Sequence, residues 1–303
     1  MSIRITALTD ADTGTVTGTD GGAGPTSRRL AWLASRDAGI PVGSAFLRLQ
    51  ASPGRDHVAE LELAVHPAER RAATGTRLLD AAVAAARADG RRCVTAQAEA
   101  GSAGDGFLAA RGFRPVLTLL YTRLPLAGAD VPALRGTVER PHPGYRLESW
   151  DGTVPDDLAD TFAASRRAMD DMPMDDCDYG TVVWDVDRVR AAALAVERRG
   201  EHLHTVAAVA EADGTIAGFT ELVVPADGTG DAQHYGTGVL PEHRGRGLAR
   251  WMKAAAILQA RERHPRLDGL LTDTASSNPP MRAVNDALGY LPTHTSLMYQ
   301  LDV

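Results

Sequence analysis

Cysteine is almost missing from this chain: Cys93 and Cys177 are its two cysteines among 303 residues. Two thiols cannot make a disulfide framework, and such usage fits a reducing cytoplasm, the expected location. Cys93 lies in an apolar stretch that reads as a buried strand, and Asp neighbours disfavour a reactive thiolate at Cys177. Basic charge is also short, with 32 Lys and Arg against 39 Asp and Glu and a net charge of −7. Nucleic acid, which wants a basic face, is therefore not an expected partner. No apolar run reaches the roughly eighteen residues of a membrane span, and the start Met1-Ser2-Ile3-Arg4 lacks a signal-peptide core, so no membrane partner is expected. The densest acidic run lacks the Gly and closing Glu of a calcium loop, so no metal is expected. What remains is an ordinary soluble composition, 44% hydrophobic and 23% charged, with enough length for two domains.

The most informative stretch runs from Thr237 to Met252. An apolar strand ends at Val239 and Leu240, a turn begins at Pro241, and Arg244-Gly245-Arg246-Gly247-Leu248-Ala249-Arg250 opens an Ala-rich helix. Gly245, Gly247 and Ala249 leave little side chain over the first helical turn, so a ligand can approach the backbone closely. The unpaired N–H groups of that turn, with Arg244 and Arg246 beside them, suit a pyrophosphate. Neither the P-loop tripeptide nor the dinucleotide Gly-x-Gly-x-x-Gly is present, because Arg250 takes the last glycine's place.

A degraded copy of the phrase lies upstream. Placing Val65 on Val239 sets Pro67 on Pro241, Arg70 on Arg244, Ala73 on Gly247 and Gly75 on Ala249. Each loop is followed by a helix-to-strand corner ending in Gly and an aromatic, Gly112-Phe113 and Gly289-Tyr290. Two loops and two corners in the same order make a tandem duplication. The expected division is residues 1–126, a linker at 127–143, and 144–303. Strand and helix signals give an α/β (α+β) fold of two such domains, and the family resemblance that the loop carries implies a mixed, mainly antiparallel sheet flanked by helices in each. Helices are expected after the first strand of the second half, from about Asp156 and from Asp185. None is expected across Asp12 to Ser27, and the last strand, near Leu297 to Leu301, is expected to close the second half.

The Arg-x-x-Gly-x-Gly/Ala phrase after Val-x-Pro resembles the acetyl-CoA pyrophosphate loop of the GNAT acyltransferase superfamily. The tandem layout is similar to that of the mycothiol synthases and of actinomycete self-resistance N-acetyltransferases. The resemblance implies acetyl-CoA as co-substrate, a small-molecule amine acceptor, and direct attack in a ternary complex, in a monomer or homodimer. It implies an active second half and a decayed first half. It places Val239 and Leu240 where backbone N–H groups meet the thioester, the amides of Arg244 through Arg250 on the pyrophosphate, and Asn278 at the pantetheine arm. Asn285 stands where many members carry a Tyr that protonates the leaving thiolate.

For deprotonating the acceptor, Glu221, His234 and Tyr235 lie on strands that flank the cleft of such a fold. Asp171, Asp175 and Asp176, with Asp170 and Asp178, form an acidic run suited to drawing in a cationic amine, or simply a solvated loop. A non-catalytic acyl-CoA sensor is the alternative, because Leu108 and Asn285 both lack the acid.

Overall fold

The computed structural model describes residues 3–8, 27–36, 39–51, 54–178, 180 and 182–303. The stretch expected to be helix-free lies outside them except for Ser27, and so does Tyr179. The described chain forms two compact units, and they are not continuous in sequence. One comprises Met1–Thr118, Met174–Val182 and Ser296–Val303; the other comprises Leu119–Pro173 and Val183–Thr295.

In the first unit, β1 (Arg4–Leu8), β2 (Ser27–Ser35), β3 (Pro41–Gln50) and β4 (Val58–Val65) form an antiparallel meander. Strand β4 then pairs in parallel with β5 (Cys93–Glu99), from Val58 opposite Cys93 to Leu61 opposite Ala96. The connecting helix Thr74–Ala88 is Ala-rich and turns Leu78, Leu79, Ala82, Val83 and Ala86 inward at helical spacing. They pack on Ala45, Leu47, Leu49, Ala59 and Leu61, which alternate along β3 and β4 on one face.

The outer neighbour of β5 is the end of the chain. Ser296–Asp302, from β12 (Leu291–Asp302), pairs antiparallel with Glu99–Cys93. The strand expected to close the second half therefore completes the first. In the second unit its place beside β11 (Leu267–Ala275) is taken by Leu119–Pro125 of β6 (Arg114–Pro125). The physical reason is that a parallel strand with an open edge needs a partner for its N–H and C=O groups. After a duplication, either copy of the last strand satisfies either edge, so exchange leaves every ladder complete.

The second unit orders its strands β6, β11, β10 (Gly230–Val239), β9 (Ile216–Val224), β8 (His202–Ala210) and β7 (Tyr145–Asp151). One face carries the helix Leu248–Arg263, whose Ala254, Ile257 and Ala260 pack with Leu222, Ala232 and Leu270. The other carries the helix Ala159–Ser165 and the 3₁₀ turn Arg166–Met169, where Phe162, Ala163 and Ala168 meet Ala207, Ile216 and Phe219. The helix Val186–Arg198 begins at Asp185, whose Oδ1 accepts the Arg188 N–H at 2.7 Å, as its cap signal predicts.

The stretch read as linker holds one more helix, Val131–Glu139, capped by Asp130. Its Leu134 is buried with Leu124 and Ile257, and the Trp251 indole donates to the Val138 carbonyl at 3.0 Å. Pro132 and Gly136 hide so short a helix from a reading by composition.

Candidate active site

The site is built where β10 and β11 part. They pair in parallel only as far as Gln233 opposite Leu271. Beyond that point β10 keeps its antiparallel partner β9, with a bulge between His234 and Gly236, and its other edge is released. The Leu240 N–H is spent on the Ala217 carbonyl at 2.9 Å. Of the two amides expected to face the thioester, Leu240 therefore does not offer one. Antiparallel alternation aims the Val239 N–H at the released edge instead.

The loop after β10 takes the shape its sequence announces. Gly245 and Gly247 both have positive φ, at 75° and 78°, and Gly247 caps the Leu248–Arg263 helix without a side chain. Gly245, Arg246, Gly247 and Arg250 are exposed, as befits a helix N-terminus whose first amides have no intrahelical acceptor. Leu248 is turned into the core, whereas Arg246 and Arg250 remain at the surface. Arg244 is committed elsewhere: its Nε donates to the Val239 carbonyl at 2.9 Å and its two terminal nitrogens grip Asp171 at 2.6 and 2.7 Å. That contact holds the Asp171 carboxyl below its usual range and raises the Arg244 guanidinium. Asp171 is thereby a brace for the loop. Asp175 and Asp176 belong to the other unit, where the Asp176 N–H donates to the Val116 carbonyl and Asp178 pairs with His57 at 2.9 Å. The acidic run is thus divided between the two units. Cys177 lies in the same segment, its thiol pushed up first by burial and then by Asp178.

On the face of the Ala159–Ser165 helix, Glu221 is buried and meets Arg166 in a two-pronged ion pair of 2.5 and 2.7 Å. The guanidinium lies over the rings of Phe162, Trp184 and Phe219 at 4.6–4.8 Å. Tyr235, 52% exposed on the bulge, accepts from Arg199 at 2.8 Å. Gly238 belongs here because a Cβ would stand 3.0 Å from Ala168 Cβ and Met169 Sδ, so only glycine lets the 3₁₀ turn lie this close. His234 is not in this group. It points to the opposite face, is buried, and its Nε2 pairs with the Tyr290 hydroxyl at 2.8 Å. Burial holds its imidazole well below the ordinary value, so it is neutral.

Asn278 caps the helix Pro279–Ala287, its Oδ1 accepting the Met281 N–H at 3.2 Å. Asn285 is 2% exposed; its amide nitrogen donates to Thr274 Oγ1 at 3.1 Å, while its Oδ1 has no partner. A buried orphan carbonyl costs about 1–3 kcal/mol and fits a site that receives an amide-bearing ligand arm. Together with the open loop amides, it makes these residues a fit for a pantetheine thioester.

Two buried charged side chains of this region, Arg166 and Lys253, escaped the sequence reading. Arg166 stands among other arginines with no distinguishing signal. Lys253 had one: it is the sole charged side chain in the apolar stretch Trp251-Met252-Lys253-Ala254-Ala255-Ala256-Ile257, which is buried throughout, and it is 1% exposed. Among the described residues no group of His, Cys, Asp and Glu could hold a metal ion, and no helix is long and apolar enough to cross a membrane.

A parallel strand pair that ends beside a left-handed loop and a helix N-terminus, twice in one chain, is the architecture of a tandem acyltransferase. The family model for the acetyltransferase (GNAT) family matches residues 22–113 and 168–290, and the chain belongs to that family. It is 31% identical to a mycothiol acetyltransferase of Nocardia farcinica over 249 residues, covering 80% of this chain and 75% of that protein. A mycothiol acetyltransferase of Thermobifida fusca is 29% identical over 279 residues, 89% and 81% of the two chains. Among solved structures, a tandem GNAT protein from the clavulanic acid biosynthesis pathway matches with a TM-score of 0.76 at 24% identity, over 99% of this chain and 98% of that one.

Proposed function

We propose that the protein is an acetyl-CoA-dependent N-acetyltransferase for a primary amine on a small molecule, with its working site in the second half and a non-catalytic first half. The observation that carries this reading is the joint presence of the bulge in β10, the released strand edge and the Gly245–Gly247 loop in one unit. Acetyl-CoA supplies the activated acyl group when bound. The Gly245–Arg250 amides hold its pyrophosphate, Val239 N–H faces the thioester edge, and Asn285 Oδ1 receives an amide of the arm. Glu221, braced by Arg166, and Tyr235 face the acceptor side, where they orient the amine and pass its proton outward through water. The names of the curated relatives make a mycothiol precursor the first acceptor to try, with amino sugars and aminoglycoside-type antibiotics next.

Calorimetry with acetyl-CoA, followed by thiol release across that panel of amines, tests the reading. Tight binding with release for one amine supports it. Tight binding without release from any amine favours the acyl-CoA sensor, for which the loss of the usual Tyr at Asn285 speaks.

A further inference from the structure

Lys253 is buried under the Leu248–Arg263 helix, beside the place where β10 and β11 part. Its ammonium lies 4.8 Å from the centroid of the Tyr290 ring, and the Tyr290 hydroxyl is held by His234, the first residue of β10 beyond the paired segment. Asp273 of β11, two residues past the last pair with β10, is the carboxylate that acts on it. Among the described residues no carboxylate stands within 4.0 Å of Nζ, so this is a buried amine without an ion-pair partner. Removing a charge from water costs several kcal/mol and is retained only where a counter-charge arrives or a proton must move. The same places in the first half, aligned through the loop and the corner, hold Leu79 and Phe113, both buried. An apolar pair therefore suffices for the fold, and the second half has built a polar cluster where none is needed for packing.

We propose that Lys253 is the proton donor to the leaving thiolate in this transferase, replacing the acid that is missing at Asn285. The inference rests on the acetyl-transfer reading above. As the acceptor nitrogen bonds to the acyl carbon, the carbon–sulfur bond breaks and its electron pair goes to sulfur. Lys253 Nζ delivers a proton to that sulfur, giving the free thiol. The proton lost by the amine leaves to solvent on the acceptor side, and Lys253 regains one from solvent before the next turn.

The neighbours agree with this division of labour. Burial pushes the Tyr290 hydroxyl far up, so it does not give up its proton, and the neutral His234 has none to spare. Burial brings the Lys253 ammonium down to about 7, with Asp273 opposing the fall. An ordinary thiol lies near 8.5, so transfer from this ammonium to a thiolate runs downhill. Asp273 is itself raised by burial and lowered by Lys253.

The test uses the full chain and two measurements. Bound CoA is titrated by the ultraviolet absorbance of its thiolate, and kcat is followed against pH. In the wild type the bound thiol should ionise at lower pH than free CoA, and kcat should fall as pH rises through the Lys253 value. Lys253→Met, apolar and similar in length, should return the thiol to its free value, lower kcat about tenfold or more, leave KM for acetyl-CoA near wild type, and abolish the alkaline fall. Asp273→Asn removes the charge that favours the ammonium, so the alkaline fall should move to lower pH. An unchanged thiol titration and pH profile in Lys253→Met, or an unmoved limb in Asp273→Asn should Lys253→Met fail to fold, overturns the proposal. A wild type that binds CoA but transfers no acetyl group would instead overturn the functional reading.

Discussion

The two halves share one loop geometry and differ in nearly everything around it. In the first, Arg71 and Ala73 have φ of 66° and 60°; in the second, Gly245 and Gly247 have 75° and 78°. The same guanidinium contact recurs, Arg70 to the Val65 carbonyl at 3.3 Å and Arg244 to the Val239 carbonyl at 2.9 Å. Both parallel strand pairs also end after four residues. Only the second half has the bulge; β3 and β4 run in register from Gly43 opposite Val65 to Leu49 opposite Ala59. Where the second half buries Glu221 against Arg166, the first presents Phe46, 43% exposed. The loop geometry thus recurs where the side chains beside it do not, because the loop is fixed by backbone and its surroundings by a few replaceable side chains.

The largest expected effect comes from filling the loop that is open. Gly247→Trp should abolish acetyl-CoA binding measured by calorimetry, since a side chain at positive φ would crowd the helix N-terminus, where a Cβ already lies 3.7 Å from His142 Nε2. Wild-type affinity in that variant would assign the donor to the other half.

Breaking the buried ion pair of the second half comes next. Arg166→Met leaves Glu221 buried and unpaired, and should cost about 3–5 kcal/mol in chemical denaturation. A loss below about 1 kcal/mol would mean that the pair is relaxed by water and does not order the acceptor side.

Exchanging the glycine and alanine of the two loops gives a smaller, signed effect. A non-glycine residue in the left-handed region costs about 1–2 kcal/mol, less the extra freedom of glycine in the unfolded chain. Ala73→Gly should therefore raise stability by about 1 kcal/mol and Gly247→Ala lower it by a similar amount. Thermal unfolding in which both changes destabilise would show that the first loop draws compensation from its surroundings.

The smallest effect concerns the brace unique to the second loop. Asp171 is lowered in the folded state, so its contribution is present above the ordinary carboxylate value and is lost as pH falls through the native one. Both groups are about half exposed, so Asp171→Asn should change stability little and raise KM for acetyl-CoA modestly. A lost dependence of amine KM on salt would instead restore Asp171 to the acceptor's path.

Much of this was legible in the residues. Local signals carried the loop, since Gly245 and Gly247 must be glycine or strained, and they carried the caps at Asp185 and Asn278. Duplication was legible because the loop and corner repeat in order. The helix Val131–Glu139 was hidden by its shortness, and the fate of Asp171 by the fact that a carboxylate in a loop says nothing about which arginine it will meet. Glu221, His234 and Tyr235 were expected together only because their strands flank the cleft of such a fold; the bulge shifts the alternation of β10 by one residue, so His234 points to the face opposite Glu221.

By itself the sequence determined the family, the doubling and the left-handed turn at Gly245 and Gly247, because each depends on short-range backbone geometry that glycine and proline write directly into the chain. Which last strand closes which sheet, where Arg166 finds Glu221, and that Lys253 is buried beside Tyr290 were decided only in three dimensions. Those pairings join residues far apart in the chain, 37 positions for Lys253 and Tyr290 and 207 for Val94 and Leu301. No local signal distinguishes one open strand edge or one arginine from its duplicate until the packing has chosen.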